Sequence, residues 1–424
     1  MRSLIILFLF SFTVAASAQE AASNSQGGQP QIRAEFPQIH DWNTLKISLQ
    51  RTMCLGTCPA YGVDIHGDGS VVYNGHAYVA VSGIHKTKIS EDAVRQLFAA
   101  FQKANFFSLL DSYAASITDF PSYAVTISFE GRNKRVIDYA GHAVGMPAGV
   151  SELEEQIDLV AGTKKWVIGD AETLPALVKE GWNFRATNDA NFALIESAAQ
   201  RGNRDLLLAF LHEGVSAKSL YGCNALKESA RKDDAAVALA LIKADAPVHL
   251  ENQAGQVSCD ALHAAAEWGD PVIVAAVLSE HPDVNLQDRN GLTPLMAAAR
   301  NDTPRSDERT QDYGKTVELL VNAGANVNAE NAKGETALTL AHTSGALVRA
   351  LLRAGVKNIE APDWQGSTPL MNSESPDVTL ALLQAGANPY LKNKNGKTAL
   401  DLAEENFWQK TAPILKEWMT AHPQ

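Results

Sequence analysis

A chain of 424 residues, 46% of them hydrophobic, is longer than one core ordinarily serves, so more than one structural unit is expected. Its formal charge of −12 argues against general nucleic-acid affinity, because neutralising phosphates takes a clustered basic surface.

The chain opens on a targeting pattern. Arg2 precedes an apolar run from Leu4 to Val14, and Ala16-Ser17-Ala18 supplies the small residues of a cleavage site. The run is too short to span a bilayer comfortably, and no cysteine follows the cleavage site to carry a lipid. Residues 1–18 therefore read as a signal peptide cleaved after Ala18, with no later membrane span. The expected mature chain is periplasmic or secreted and begins at Gln19. Residues 19–35, rich in Ala, Ser, Gln and Gly, read as a flexible leader.

Residues 36–166 carry the marks of a small α+β domain. From Thr44 the pattern alternates, with Leu45, Ile47 and Leu49 on one face, which predicts a strand. Tyr61, Val63 and Ile65 repeat it, and Gly67-Asp68-Gly69 turns the chain into Ser70-Val71-Val72-Tyr73, predicting a hairpin. Tyr78, Ala80 and Ser82 extend the alternation. Ser90 is placed to cap a helix carrying Val94, Leu97, Phe98 and Phe101. A second hairpin is expected from Tyr123 to Tyr139 around Glu130-Gly131-Arg132-Asn133. Ser151 and Glu154 have capping-box spacing at the head of a helix with Leu153, Ile157 and Val160.

Residues 167–424 repeat a phrase: Asn290-Gly291-Leu292-Thr293-Pro294-Leu295, then Lys333-Gly334-Glu335-Thr336-Ala337-Leu338, Gln365-Gly366-Ser367-Thr368-Pro369-Leu370 and Asn395-Gly396-Lys397-Thr398-Ala399-Leu400. Its leucine traces back through Leu262, Leu226 and Leu194 at roughly thirty to forty residues per step, the period of a solenoid. Each Thr-Pro-Leu or Thr-Ala-Leu is expected to open a short helix, and a second helix should end at Gly214, Gly324, Gly355 or Gly386. With Ala323-Gly324-Ala325-Asn326, this combination resembles ankyrin repeats. The resemblance implies a half-repeat followed by about seven units of an all-α solenoid, with an insertion at 302–313 between two helices. The first units are degenerate, with Phe192 and Asn224 where the family has threonine. The N-terminal part resembles a bacterial domain of unknown function built around Arg51-Thr52-Met53-Cys54-Leu55-Gly56-Thr57-Cys58-Pro59-Ala60-Tyr61. That resemblance brings no activity with it.

Four cysteines in an oxidising compartment invite pairing, and their positions suggest Cys54 with Cys58 and Cys223 with Cys259, although three connectivities are formally open. Equivalent positions in stacked repeats lie near 10 Å apart, so the second bond needs an irregular loop to close the gap. Nothing spaces His40, His66, His76, His85 and His142, or Asp64, Asp68, Asp119 and Asp138, as metal ligands or as an acid–base pair. No catalytic residue, metal or cofactor is expected. Trp364 at a turn tip is a candidate anchor, set against simple packing on the neighbouring repeat. With Asp288, Arg289, Asn290, Lys333, Gln365 and Lys394 it makes up the expected protein-binding face. The expected function is an exported protein-binding module engaging a protein partner. The rival expectation is a ligand-binding or enzymatic N-terminal domain targeted by the repeats.

Overall fold

The computed structural model describes residues 36–253, 256–300, 307–406 and 408–423. The expected signal peptide and leader lie outside the described residues. The first alternation forms β1 (Lys46–Arg51), with Ile47 and Leu49 fully buried. It pairs with β2 (Ala60–His66), which turns through Asp68 into β3 (Ser70–Ala77). There follow β4 (Gly83–Lys88), α1 (Glu91–Lys103), β5 (Ser112–Ala114), β6 (Tyr123–Phe129) and β7 (Arg132–Tyr139). They make one seven-stranded sheet in the order β4-β3-β2-β1-β6-β7-β5, antiparallel except between β5 and β7. The apolar face of α1 and that of α2 (Ala148–Ala161) share a core with Ile47, Val63, Val125 and Val136.

Several expectations on this domain need correction. Tyr78, Ala80 and Ser82 are not strand; β4 begins one residue later. Its one buried residue is His85, with Thr87 half-buried on the same face, so no apolar alternation announces it. The second hairpin turns on Glu130 and Gly131 alone, since β7 already starts at Arg132. Helix α2 starts at Ala148, after Pro147, rather than at Ser151. Glu154 is buried and cannot reach back to a cap, while the Ser151 hydroxyl lies 3.0 Å from His142 Nε2.

Beyond α3 (Lys164–Val167) and α4 (Thr173–Lys179) the chain is mainly helix pairs. They are α5 (Asp189–Arg201) with α6 (Arg204–His212), and α7 (Leu220–Lys232) with α8 (Ala235–Lys243). After β8 (His249–Glu251) and β9 (Val257–Asp260) come α9 (Ala261–Trp268) and α10 (Pro271–Leu278). The rest are α11 (Pro294–Ala299), α12 (Asp307–Asn322), α13 (Ala337–Leu340), α14 (Gly345–Arg353), α15 (Pro376–Gln384), α16 (Ala399–Glu405) and α17 (Thr411–Ala421). Helices α5, α7, α9, α11 and α13 pack in one row; α6, α8, α10, α12, α14, α15 and α17 pack in another. Leu194, Leu226, Leu262, Leu295, Leu338 and Leu370 are buried between them, with Leu320 and Leu383 from the second row. Gly214, Gly324, Gly355 and Gly386 follow second helices at φ between 94° and 100°, a conformation open to glycine without strain.

Three departures stand out here. The region is not all-α, because β8 and β9 form a hairpin where the unit before Leu262 is longer than its neighbours. Thr368-Pro369-Leu370 opens a single turn rather than a helix, with Asn372 N–H donating to the Thr368 carbonyl at 3.2 Å. The shortened unit leaves no room for more before Pro376. The insertion after Leu295 is helix from Asp307 onward, extending α12 towards its N-terminus, and its residues 302–306 lie outside the described residues.

Candidate functional site

The turn tips of the helical region share one construction. At each, an Asp or Asn side chain closes the turn on backbone amides. Asp288 Oδ1 accepts from the amides of Asn290 at 2.8 Å and Leu292 at 2.9 Å. Asn331 does the same for Lys333 and Glu335, Asp363 for Gln365 and Ser367, and Asn393 for Asn395 and Lys397. A glycine sits third after each, at φ between 73° and 77°. This Asx geometry explains why a Gly recurs there and why Asp or Asn precedes it. Asp288 thus holds the turn shape, half-buried, while Arg289, Asn290, Lys333, Trp364, Gln365 and Lys394 are exposed at equivalent places on successive tips. Adjacent tips touch: Lys394 Nζ donates to the Trp364 carbonyl at 2.7 Å and Lys394 N–H to the Gln365 carbonyl at 3.2 Å. The Trp364 ring itself is free, the residue being 58% exposed.

Both expected disulfides are present. Cys54–Cys58 closes a short exposed loop between β1 and β2, with a Cα–Cα distance of 5.5 Å. Cys223–Cys259 spans 6.3 Å, because β9 carries Cys259 against α7. Beside it, Asp260 caps α9 and lies 3.1 Å from His263 Nδ1 and 3.4 Å from His249 Nδ1. The other His263 nitrogen, Nε2, is 2.8 Å from the Leu292 carbonyl. Burial opposes charge on His263, yet the adjacent Asp260 carboxylate leaves its pKa above the ordinary histidine value. Asp260 and His263 border a groove of about 800 Å³ that reaches Lys227 and Arg289. The sequence signal for it was the histidine directly after a repeat leucine.

The sheet domain holds a second polar constellation. Strand register sets Tyr61 and Tyr123 on either side of Arg51, with Asp138 beside Tyr123. Helix α2 packs Glu154 and Asp158 against this row. The Tyr61 hydroxyl donates to Asp158 Oδ2 at 2.6 Å, and Thr163 Oγ1 donates to Asp158 Oδ1 at 2.7 Å. The Arg51 guanidinium lies over the Tyr123 ring, 5.0 Å from its centroid. Glu154 is 7% exposed and its Oε1 has no hydrogen-bond partner among the described residues. Burial, reinforced by the Asp138 and Asp158 carboxylates, pushes the Glu154 carboxyl up to about 8. Its spacing of four after Val150 and three before Ile157 already put it on the apolar face of α2.

The scattered histidines and aspartates do not converge. His40 pairs with Glu130, Asp68 accepts from Ser70, and exposed Asp119 forms a left-handed turn. Among the described residues no group of three His, Cys, Asp or Glu is placed to hold a metal.

Residues 45–161 match the domain of unknown function DUF6438, and residues 309–393 match the model for three ankyrin repeats. The chain carries a DUF6438 domain followed by ankyrin repeats. The DUF6438 match spans all seven sheet strands, the Cys54–Cys58 loop and the Arg51–Glu154 row. The ankyrin match spans the tips at Asn331 and Asp363 and ends on Asn393, and Asp288 repeats their hydrogen bonding outside it.

Among curated proteins, ZDHHC13 of Danio rerio, named as a palmitoyltransferase, is 25% identical over 58% of this chain and 32% of its own length. YahD of Escherichia coli (strain K12), an ankyrin repeat protein by name, is 28% identical over 34% of this chain and 71% of its own length. The nuclear factor NF-kappa-B p105 subunit of Gallus gallus is 30% identical over 36% of this chain and 15% of its length. The chain thus covers about a third of the first of these relatives. Ankyrin repeats support a protein-interaction module.

Proposed function

We propose that this chain is an exported protein-binding module, whose ankyrin repeats stack as a solenoid and present their tips to a protein partner in the cell envelope or outside the cell. The observation that carries the reading is the row of tips with one hydrogen-bond pattern and exposed side chains at equivalent places. A row of rigid turns offers a large surface with little ordering cost, which suits protein recognition. Trp364 supplies the anchor. Arg289, Asn290, Lys333, Gln365 and Lys394 surround it with polar contacts, and Asp288 holds its turn in shape.

Export rests on the sequence of residues 1–18, and two disulfides are compatible with an oxidising compartment. No helix among the described residues is long and apolar enough to cross a membrane.

Capture of the partner by the full-length chain from native envelope, quantified against Trp364→Ala, tests the binding face. The expected loss is about 2 kcal/mol of affinity at an unchanged melting temperature. Unaltered capture, or an unfolded array, would overturn it. N-terminal sequencing of the mature chain should begin at Gln19; a retained Met1 or a lipidated terminus rejects the export reading.

The rival, a ligand-binding or enzymatic sheet domain, draws its support from the buried Glu154. Turnover or a co-purified small molecule that disappears in Glu154→Gln would favour it.

A further inference from the structure

Strand register gathers four loops of the sheet domain at one end. Strand β1 ends at Arg51 where β2 begins at Ala60; β3 ends at Ala77 where β4 begins at Gly83; β7 ends at Tyr139 opposite the start of β6 at Tyr123. Segments 52–59, 78–82, 115–122 and 140–147 therefore lie side by side. They carry Met53, Leu55, Tyr78, Ile117, Phe120 and Val144, large apolar side chains that are all exposed, Leu55 at 82%. Scattered single apolar residues on a surface are ordinary, but a cluster on adjoining loops marks an interaction site.

The backbone holds these side chains out. Tyr78, Asp119 and Ala140 sit at φ 52°, 72° and 51°, left-handed conformations that cost energy for a residue with a Cβ. The Cys54–Cys58 bond closes the loop that displays Leu55. Thr52 and Ser122 tie that loop to the one bearing Phe120, with Thr52 N–H donating to the Ser122 carbonyl and Ser122 N–H to Thr52 Oγ1, each at 2.9 Å. Arg201 of α5 donates to the Tyr78 carbonyl. A surface already ordered loses little entropy on binding. Beside Met53 and Tyr78 a cleft of about 520 Å³ opens against α5, and its lining of Glu196 and Arg201 beside Ala190 and Ala193 sets it apart from the loops.

Charge selects the occupant. In a chain that is 20% charged, these four loops hold no Lys, Arg or Glu, and their one acidic residue is Asp119. An anionic lipid surface needs cations to hold it, and a charged peptide would bury its charges unpaired. We propose that this loop end is a docking surface for an extended, uncharged apolar segment of a protein partner, lying across Leu55 and Phe120. It is a second surface, on a different domain from the tips.

The probe is a panel of capped, fluorescein-labelled ten-residue peptides of Leu, Val, Phe, Ser and Gly, alongside matched peptides with Lys or Glu at every third position. Fluorescence anisotropy with the full-length protein should show binding of the neutral peptides, weakened at least ten-fold by the double substitution Leu55→Ser/Phe120→Ser and unchanged by Trp364→Ala. Should that variant fail to melt like the wild type, Met53→Ser/Ile117→Ser takes its place. Absence of binding at millimolar protein, equal binding of charged peptides, or binding indifferent to both double variants overturns the proposal. So does flotation with phosphatidylcholine vesicles, or a dimer seen by light scattering, when the loop variant abolishes it, because the surface would then serve lipid or a second copy.

Discussion

Glu154 sits among Val150, Leu153 and Ile157 on the buried face of α2, where its acidity becomes a property of the fold. Folding raises its pKa from 4.5 to about 8, so between those values the native chain keeps a proton that the unfolded chain releases. Stability therefore falls as pH rises through that window, by at most about 1.4 kcal/mol per pH unit, and is unaffected by this group below it. Burial raises Asp158 as well, which adds in the same direction. Urea midpoints from pH 5 to pH 8.5 should decline in the wild type and flatten in Glu154→Gln; equal slopes would show that the carboxyl is solvated. At this scale the sequence was half legible. The buried leucines could be placed from period alone, since apolar burial needs no particular partner. Glu154 and Asp158 could not, because whether a polar residue on an apolar face is tolerated depends on Tyr61 and Arg51, which lie far away in the chain.

Among the elements, the two disulfides make unequal contributions. Cys54–Cys58 closes a separation of 4 residues and Cys223–Cys259 one of 36. Loop-closure entropy then gives about 2 kcal/mol for the first and about 4 kcal/mol for the second. Denaturation of Cys58→Ser and Cys259→Ser chains should show the larger loss in the latter, and the reverse order would mean that strain or residual structure dominates. Leu295→Ala, in the tightly packed α11, should cost about 2–5 kcal/mol by chemical denaturation. A loss below 1 kcal/mol would mean that α11 repacks around the gap. Element type was legible wherever periodicity ran long, as in β1, β2, α1 and the repeat helices. Strand β4 and the β8–β9 hairpin were not, since an edge strand whose buried residue is a histidine and a hairpin of three and four residues leave no hydrophobic period to read.

At the scale of the molecule, one part of the sheet domain joins the core of the repeats. Tyr61, Tyr73, Val79 to Val81 and Trp166 pack with Leu177, Leu194 and the repeat leucines. Ala80 and Val81 donate to the Val167 and Trp166 carbonyls at 3.0 and 2.9 Å. His85, fully buried, stacks 4.5 Å from Trp166 and 5.5 Å from Trp182, with Nδ1 2.8 Å from Glu180 Oε2. The sequence changes pattern near 166 but gives no sign of this junction, because its partners come from both sides of that position. Trp166→Ala should cost about 3–5 kcal/mol and destabilise both parts together. Coincident denaturation followed by far-ultraviolet dichroism and by tryptophan fluorescence would support this, whereas two separate transitions in the wild type would refute it. A stack of repeats ordinarily ends in a unit with a polar outer side, without which its last apolar face meets water. Here α5 has no such neighbour: Ser197 and Arg201 bond to the backbone of Val79 and Tyr78, so the sheet domain serves as the terminal shield. A truncated chain of repeats alone would bare that face and aggregate, and its failure to bind would report lost solubility rather than a lost partner.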